Sequence, residues 1–324
     1  MALSKAALAL LKALSYPDLE VKQNYEPLRK VIRAASPKPL KPFYRTWDHK
    51  VHCGDTLVPV RVFSPLDGLD HPVLLFFHGG GWVTGDIDSY DRICTNMCAL
   101  TRHVVVSVDY RLAPEHPFPA APEDCYAVTC EVLQNAAALF HIPPEDVTLI
   151  GDSAGGNLAA AVSLMARDRG SFVPRRQILI YPAVYNDHSE HSPFPSVQTN
   201  GSGYLLTSKR ICDYMDLYAA RPEDRQSPYF APLLAEDLAG QPKTLIITAE
   251  LDPLRDEGEA YGEKLRAAGV PASIYRIPDA LHGFLSLPAR FSPVQHAYRI
   301  INRFLNDKSG SPASEGEAAG NQED

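Results

Sequence analysis

The chain has 324 residues, of which 45% are hydrophobic and 22% are charged, and its net charge is -8. This length and hydrophobic content predict either one large α/β domain with an appendage or two small domains. The acidic balance and the scattered Lys and Arg residues argue against a nucleic-acid-binding protein, and no stretch reaches the roughly 18 apolar residues of a membrane-spanning helix.

The N-terminal part of the chain is predicted to be helical and then interrupted by prolines. Lys5 and Lys12 share one helical face, with apolar residues on the opposite face. Residues 1–14 therefore predict an amphipathic helix rather than a secretory signal. A second helical pattern around Val31 ends before the proline-rich residues 37–42.

Strand-like and helix-like stretches alternate in most of the remaining chain. The predicted strands are an alternating segment and six apolar runs, at residues 58–63, 73–77, 104–108, 147–150, 177–181, 244–248 and 273–277. The predicted helices lie at residues 88–100, 120–139, 157–167, 256–268 and 293–305. Such alternation predicts a parallel, doubly wound sheet with right-handed crossovers.

Residues 183–242 break this alternation. They are rich in Pro, Ser, Gly and Tyr, with one predicted helix at residues 208–220, and we interpret them as an insertion over the sheet. The insertion divides the core into residues 43–182 and 243–307. Residues 308–324 contain no apolar residue beyond alanine and are predicted to be a disordered tail.

The six cysteines form no C-x-x-C pair, and no Cys/His spacing resembles a zinc site. A chain with a core of this size has no need of a disulfide framework. We therefore predict reduced, mostly buried thiols in a cytoplasmic protein.

The sequence Gly-Asp-Ser-Ala-Gly at residues 151–155 stands between a predicted strand and a predicted helix. A serine in this context lies on a sharp strand-to-helix turn, where flanking glycines let the helix pack close to the strand. The hydroxyl is then exposed at the end of the sheet. We therefore predict Ser153 to be a catalytic nucleophile.

A second glycine motif, His-Gly-Gly-Gly-Trp at residues 78–82, follows the apolar run that ends at Phe77. Three glycines allow backbone N–H groups to point toward one position, as an oxyanion hole requires. The expected donors are the amides of the glycine segment and of the residue after the serine, namely Gly79, Gly80, Gly81 and Ala154.

A serine hydroxyl needs a base, and the base needs an acid that orients it. His282 follows the last predicted strand by a short loop, and Asp252 follows the strand before it, so they are the predicted base and acid. Glu250 is a weaker alternative for the acid. Asp256 and Glu257 lie one turn into the next helix, where carboxylates commonly offset the helix dipole.

The other histidines fit the position of the base less well. His103 opens a predicted strand, His116 lies in a proline-rich stretch, and His188 and His191 lie in the insertion. We interpret these four as structural, and His78 as a support of the glycine loop.

Five motifs now stand together in the chain, at residues 78–82, 109–115 (Asp-Tyr-Arg-Leu-Ala-Pro-Glu), 151–157, 252–256 and 282–284. Together they resemble the hormone-sensitive lipase family of esterases, also called bacterial family IV. The resemblance covers roughly residues 40 to 305.

This resemblance implies an α/β-hydrolase fold with a mostly parallel, eight-stranded sheet flanked by helices. It also implies a helical cap, here built from residues 1–42 and 183–242. The expected activity is hydrolysis of carboxylic esters with short to medium acyl chains, without a metal or organic cofactor. Family members are often dimers, sometimes joined through the last strand of the sheet, here near residues 273–277.

The 109–115 motif is interpreted as structural. Asp109 and Arg111 are expected to hold loops together by ion pairs and hydrogen bonds rather than to take part in the reaction. The candidates to line the pocket are aromatic residues near the catalytic loops or in the insertion, namely Trp82, Tyr181, Tyr185, Tyr204 and Phe284.

Two other functions are compatible with parts of this pattern. An amidase or deacetylase would use the same serine, histidine and aspartate. A non-catalytic small-molecule receptor of this superfamily replaces the catalytic histidine, and the presence of His282 argues against that interpretation.

Overall fold

An eight-stranded, mostly parallel sheet forms the centre of the protein in the computed structural model, which describes residues 20–35, 44–54 and 56–307. The strands are β1 (Tyr44–Cys53), β2 (Thr56–Pro65), β3 (Val73–Phe77), β4 (Val104–Val108), β5 (Val147–Asp152), β6 (Arg176–Ile180), β7 (Lys243–Leu251) and β8 (Ala272–Leu281). Their order is β1-β2-β4-β3-β5-β6-β7-β8. The pairs β1/β2 and β2/β4 are antiparallel and the others are parallel, which confirms the predicted α/β fold.

Helices connect the strands. They are α1 (Val21–Ala35), α2 (Asp91–Thr101), α3 (Ala120–Gln134), α4 (Ala136–Phe140), α5 (Ala154–Arg169), α6 (Pro195–Asn200), α7 (Ser208–Tyr218), α8 (Arg255–Ala267) and α9 (Ser292–Leu305). None of the helices in the described ranges is long and apolar enough to cross a membrane.

Apolar side chains cover both faces of the sheet, as strand β3 illustrates. All five of its residues are buried. Val73 and Leu75 belong to one hydrophobic cluster, and Leu74 and Phe76 belong to another. Successive strand residues point to opposite faces, so a continuous apolar run is what a strand covered on both sides requires.

The structure differs from the predicted elements at three places. Strand β1 is absent from the sequence prediction because it is an edge strand that pairs only with β2, and most of its side chains are exposed and polar. The helix predicted over residues 120–139 is broken at Asn135 into α3 and α4. The insertion contains α6 in addition to the predicted helix. The predicted helix at residues 1–14 and the tail at 308–324 lie outside the described residues.

A close backbone contact joins the start of α5 to the end of β3. A Cβ atom on Gly155 would lie 1.9 Å from the Phe77 carbonyl oxygen, and a Cβ on Gly151 would lie 2.1 Å from the Gly155 carbonyl oxygen. Between these glycines, Ser153 has φ of 55° and ψ of -119°. The turn that carries Ser153 is therefore possible only because the residues around it have no side chain.

We expect Gly155→Ala to lower the free energy of unfolding by about 3 kcal/mol, because the added methyl overlaps backbone that cannot move away. Gly170→Ala is the control, since Gly170 also has a positive φ of 60° but no atom lies within 4 Å of the position that its Cβ would occupy. That variant should lose about 1 kcal/mol through backbone strain alone. Urea unfolding of both variants measures the difference, and equal losses would contradict the steric argument.

Candidate active site

Ser153, His282 and Asp252 form one continuous row of hydrogen bonds. His282 Nε2 lies 2.9 Å from Ser153 Oγ, and His282 Nδ1 lies 2.7 Å from Asp252 Oδ2. A carboxylate only accepts hydrogen bonds, so Nδ1 carries the proton and Nε2 is free to accept the serine proton. The tertiary fold thus brings together residues that are 30 and 129 positions apart in sequence.

Asp252 is held by its surroundings in a fixed orientation. It is fully buried, and its Oδ1 accepts a hydrogen bond from the Leu254 amide at 2.9 Å. The Asn200 side chain of α6 donates to the Asp252 carbonyl at 3.2 Å. A buried carboxylate with both oxygens engaged keeps one orientation, and it can stabilise a positively charged imidazole.

The alternative carboxylates are engaged elsewhere. Glu250 accepts from the Asp279 amide at 2.7 Å, and Asp256 accepts from the Ser196 amide at 2.7 Å. Glu257 is fully buried and pairs with His188. Each of these three carboxylates therefore binds a group other than the His282 ring. The carboxylate that is hydrogen-bonded to His282 is that of Asp252.

Two of the three glycines proposed for the oxyanion hole line the same cavity as Ser153. Gly80, Gly81 and Ala154 line this cavity. Gly79 does not line it, and its amide donates to Asp152 Oδ1 at 2.8 Å. The expectation that Gly79 donates to the oxyanion is therefore wrong, and the candidate donors are Gly80, Gly81 and Ala154.

The glycine loop is shaped by a tight turn and by the histidine that precedes it. Gly80 has a φ of 118°, and its carbonyl accepts from the Thr84 amide at 2.9 Å. His78 is fully buried, and burial lowers its pKa to about 4, so its ring is neutral. Its Nδ1 donates to the Gly79 carbonyl at 2.8 Å and its ring stacks on Tyr110 at 4.3 Å. These contacts agree with the expected supporting role of His78.

The cavity has a volume of about 250 Å³ and is mostly apolar. Trp82 and Tyr181 line it, as expected from the sequence. Tyr185, Tyr204 and Phe284 do not. Tyr185 packs against Phe194 instead, and Phe284 packs edge-on against Tyr181 in the core.

The cavity contains further residues that the sequence analysis missed, namely Tyr90, Ile93, Asp152, Ala183, Leu206, Ile211, Tyr214, Leu254, Gly283 and Ser286. Some of them follow a helical pattern, since Ile211 and Tyr214 stand three residues apart on α7 and share one face. That spacing could have marked the face of α7 toward the sheet. Within the described ranges, no cluster of three His, Cys, Asp or Glu residues could hold a metal ion.

Asp152, which precedes Ser153 in the chain, is a buried carboxyl group. It accepts from the Gly79 amide at 2.8 Å, and the hydroxyls of Tyr90 and Tyr181 lie 3.3 and 3.4 Å from its Oδ2. Burial raises its pKa to about 6, against the smaller opposing effect of these hydrogen bonds. The Tyr181 ring also packs on His282, at 4.8 Å between ring centres. Asp152 therefore links the glycine loop to Tyr181, the residue that packs against His282.

The 109–115 motif joins loops outside the cavity. Arg111 makes a bidentate contact with the fully buried Asp124, with the shortest distance 2.7 Å. Asp109 accepts from the Ile87 amide, and burial raises the pKa of its carboxyl to about 6. Neither residue lines the cavity.

A family model described as alpha/beta hydrolase fold matches residues 74–286. The chain belongs to this family. An arylesterase from Saccharolobus solfataricus is 38% identical over 277 residues, which make up 84% of this chain and 86% of that protein. The ethyl acetate hydrolase of Pseudomonas putida is 38% identical over 238 residues, or 72% of this chain and 73% of that protein.

The solved structure of an esterase from the archaeon Pyrobaculum calidifontis superposes on this hydrolase with a TM-score of 0.81. The two chains are 36% identical, and the match covers 94% of this chain and 98% of the other. All three of these relatives are named as esterases or ester hydrolases. They confirm the resemblance to esterases that the motifs predicted.

The raised pKa of Asp152 predicts a pH-dependent stability of the hydrolase. The folded carboxyl keeps its proton up to about pH 6, whereas the unfolded one loses it near 3.8. The folded state therefore binds more protons in this window, and this group makes stability fall as pH rises through it. Asp152→Asn keeps an oxygen for the Gly79 amide but cannot ionise.

The free energy of unfolding of Asp152→Asn, relative to the wild type, should therefore rise by about 1–3 kcal/mol between about pH 4.5 and 7.5. Urea unfolding of both proteins across that range measures it. A relative free energy that does not change with pH would contradict the assigned pKa.

Proposed function

We propose that this protein is a serine carboxylesterase that forms an acyl-enzyme on Ser153. The observation that carries the proposal is the hydrogen-bonded row Asp252–His282–Ser153 beside a cavity lined by the glycine loop. Membership of the family and the esterase relatives support the same reaction.

In the first half of the reaction, Ser153 Oγ attacks the ester carbonyl carbon while His282 Nε2 takes the serine proton. Asp252 stabilises the imidazolium that forms. The carbonyl oxygen becomes an oxyanion, which the amides of Gly80, Gly81 and Ala154 hold. Collapse of this intermediate breaks the bond to the alcohol oxygen, and His282 gives that oxygen its proton.

In the second half, water enters the place that the alcohol has left. His282 takes a proton from the water as it attacks the acyl carbon, and the same amides hold the second oxyanion. The intermediate then releases the carboxylic acid, and the proton returns to Ser153. Neither half needs a metal or an organic cofactor.

Helix α1 and residues 183–242 form the proposed cap of the site. Within this insertion, Leu206, Ile211 and Tyr214 line the cavity together with the catalytic residues. A volume of about 250 Å³ is below the usual range of pockets for drug-sized ligands, roughly 300–1,000 Å³. This small, apolar cavity supports esters with short acyl chains as substrates.

A homodimer and a cytoplasmic location stay predictions from the sequence. Strand β8 is an edge of the sheet, and Tyr275 on it is partly exposed, which leaves the strand open to pairing. Light scattering coupled to gel filtration measures the mass in solution.

The role of Ser153 can be tested by substitution. Ser153→Ala should lower kcat for p-nitrophenyl acetate by about a million-fold, because the methyl group cannot attack the ester carbonyl. A fluorophosphonate should label the wild type and leave Ser153→Ala unlabelled. Turnover of Ser153→Ala at the wild-type rate would reject Ser153 as the nucleophile, whereas a wild type that resists labelling would favour the receptor.

The preferred acyl length follows from the size of the cavity. Across p-nitrophenyl esters from acetate to decanoate, kcat/KM should be highest at or below about six carbons, and fall by about tenfold or more at ten carbons, since a chain that does not fit loses its buried contacts. Ile211→Ala enlarges the cavity and should move the optimum toward longer chains. An unchanged optimum would contradict the prediction that the size of the cavity near Ile211 limits the acyl chain.

The amidase alternative can be separated in the same assay. An ester and its matched amide differ only in the leaving atom, so equal kcat/KM for the two would favour an amidase or deacetylase. We expect the ester to be preferred by at least about 100-fold, because conjugation with nitrogen stabilises the amide carbonyl against attack, and the nitrogen must be protonated before it can leave the tetrahedral intermediate.

A further inference from the structure

Arg29 of helix α1 is bound to three places on the core. Its Nε donates to the Val83 carbonyl at 2.6 Å, and its Nη2 donates to the Ala113 carbonyl at 2.8 Å. Both terminal nitrogens also contact the Glu115 carboxylate, at 2.8 and 2.9 Å. One side chain thus joins α1 to the loop after β3 and to the loop after β4.

Val83 belongs to the turn that follows the glycines of the proposed oxyanion hole. The Val83 amide donates to the Gly80 carbonyl at 3.2 Å, and the Ala113 amide donates to the Trp82 carbonyl at 2.9 Å. Arg29 therefore holds the carbonyls of two residues whose own amides fix the glycine turn. A shift of either peptide would move the peptides that line the cavity.

Helix α7 covers the same loop. A Cβ atom on Gly81 would lie 2.4 Å from Cγ of Tyr214, so the Tyr214 ring rests directly on the glycine backbone. Lys22 of α1 forms ion pairs with Asp213 and Asp216 of α7. The glycine loop is therefore in contact with elements that lie outside the sheet and that also contact each other.

We infer that Arg29 is a positioning residue for the oxyanion hole, which holds the amides of Gly80 and Gly81 in place while α1 is docked. This inference rests on the proposed esterase function. An arginine suits the task because its planar guanidinium can donate to two carbonyls and a carboxylate at once, whereas a lysine presents a single point charge.

The inference predicts where the loss of Arg29 appears in the kinetics. The oxyanion exists only after the serine has attacked, so a misplaced hole weakens transition-state binding and leaves substrate binding intact. The loss should therefore appear in kcat rather than in KM. A helix that only covered the substrate would change KM instead.

The first test compares kcat and KM of Arg29→Ala and the wild type with p-nitrophenyl acetate. We expect kcat to fall by about 10- to 100-fold, since a displacement of about 1 Å can cost about 100-fold, and KM to change by less than about threefold. Arg33→Ala is the matched control. Arg33 lies one turn further along α1 and binds Asp86 and Asp88 rather than a loop carbonyl, so its kcat should stay at the wild-type value.

The second test measures inhibition by a trifluoromethyl ketone, whose adduct with Ser153 places an oxyanion in the hole. Its affinity should fall in Arg29→Ala by the same factor as kcat/KM. Added ethylguanidine should restore part of kcat in Arg29→Ala and none in Arg33→Ala, because it can reoccupy the emptied site.

If Arg29→Ala does not fold, as judged by its unfolding midpoint, Arg29→Lys is measured in the same assays. It keeps the charge but has one donor nitrogen in place of three, so it cannot reach all three partners at once, and its kcat should fall below the wild-type value. Unchanged kcat and ketone affinity in the Arg29 variants, or an equal fall in Arg33→Ala, would overturn the inference. A wild type that does not hydrolyse esters would instead reject the proposed function.

Discussion

The close backbone contact between Gly155 and the end of β3 is the constraint on which the rest of the site depends. No side chain separates the two, so the turn that carries Ser153 lies directly beside the loop that follows Phe77. Two segments that are far apart in the chain thereby line one cavity. In the proposed mechanism, Ser153 and the amides of the glycine loop act on the same carbonyl group, and this contact is what places them side by side.

The buried carboxyl group of Asp152 links the two halves of this arrangement. It accepts from the Gly79 amide, and it lies near the hydroxyl of Tyr181, whose ring packs on His282. Burial of such a group is unfavourable unless donors compensate for the lost water. Burial raises its pKa to about 6 although these donors oppose the shift, so the desolvation of the carboxyl group outweighs the hydrogen bonds that hold the loop and the histidine in a fixed relation.

The sheet could be predicted where its strands are covered on both faces. The apolar runs that became β3 and β4 have no other structure that would bury every side chain. The edge strand β1 carries no such signal, because exposed polar residues fit an edge strand and a loop equally well. The break at Asn135 was missed for a related reason, since good helix formers stand on both sides of it, with Glu131, Leu133 and Gln134 before it and three alanines at residues 136–138 after it.

The sequence by itself determined the type of fold, the nucleophile motif and the order of serine, aspartate and histidine, because glycines and buried apolar runs leave few alternatives. Only the tertiary structure decided which of the glycines line the cavity. Gly79 and Gly80 are identical in chemistry, but Asp152 accepts from the amide of Gly79, whereas Gly80 lines the cavity. The lining from α7 was likewise decided by packing. The partner of a backbone group or side chain is often a residue far away in the chain, so the local sequence cannot predict which partner it has.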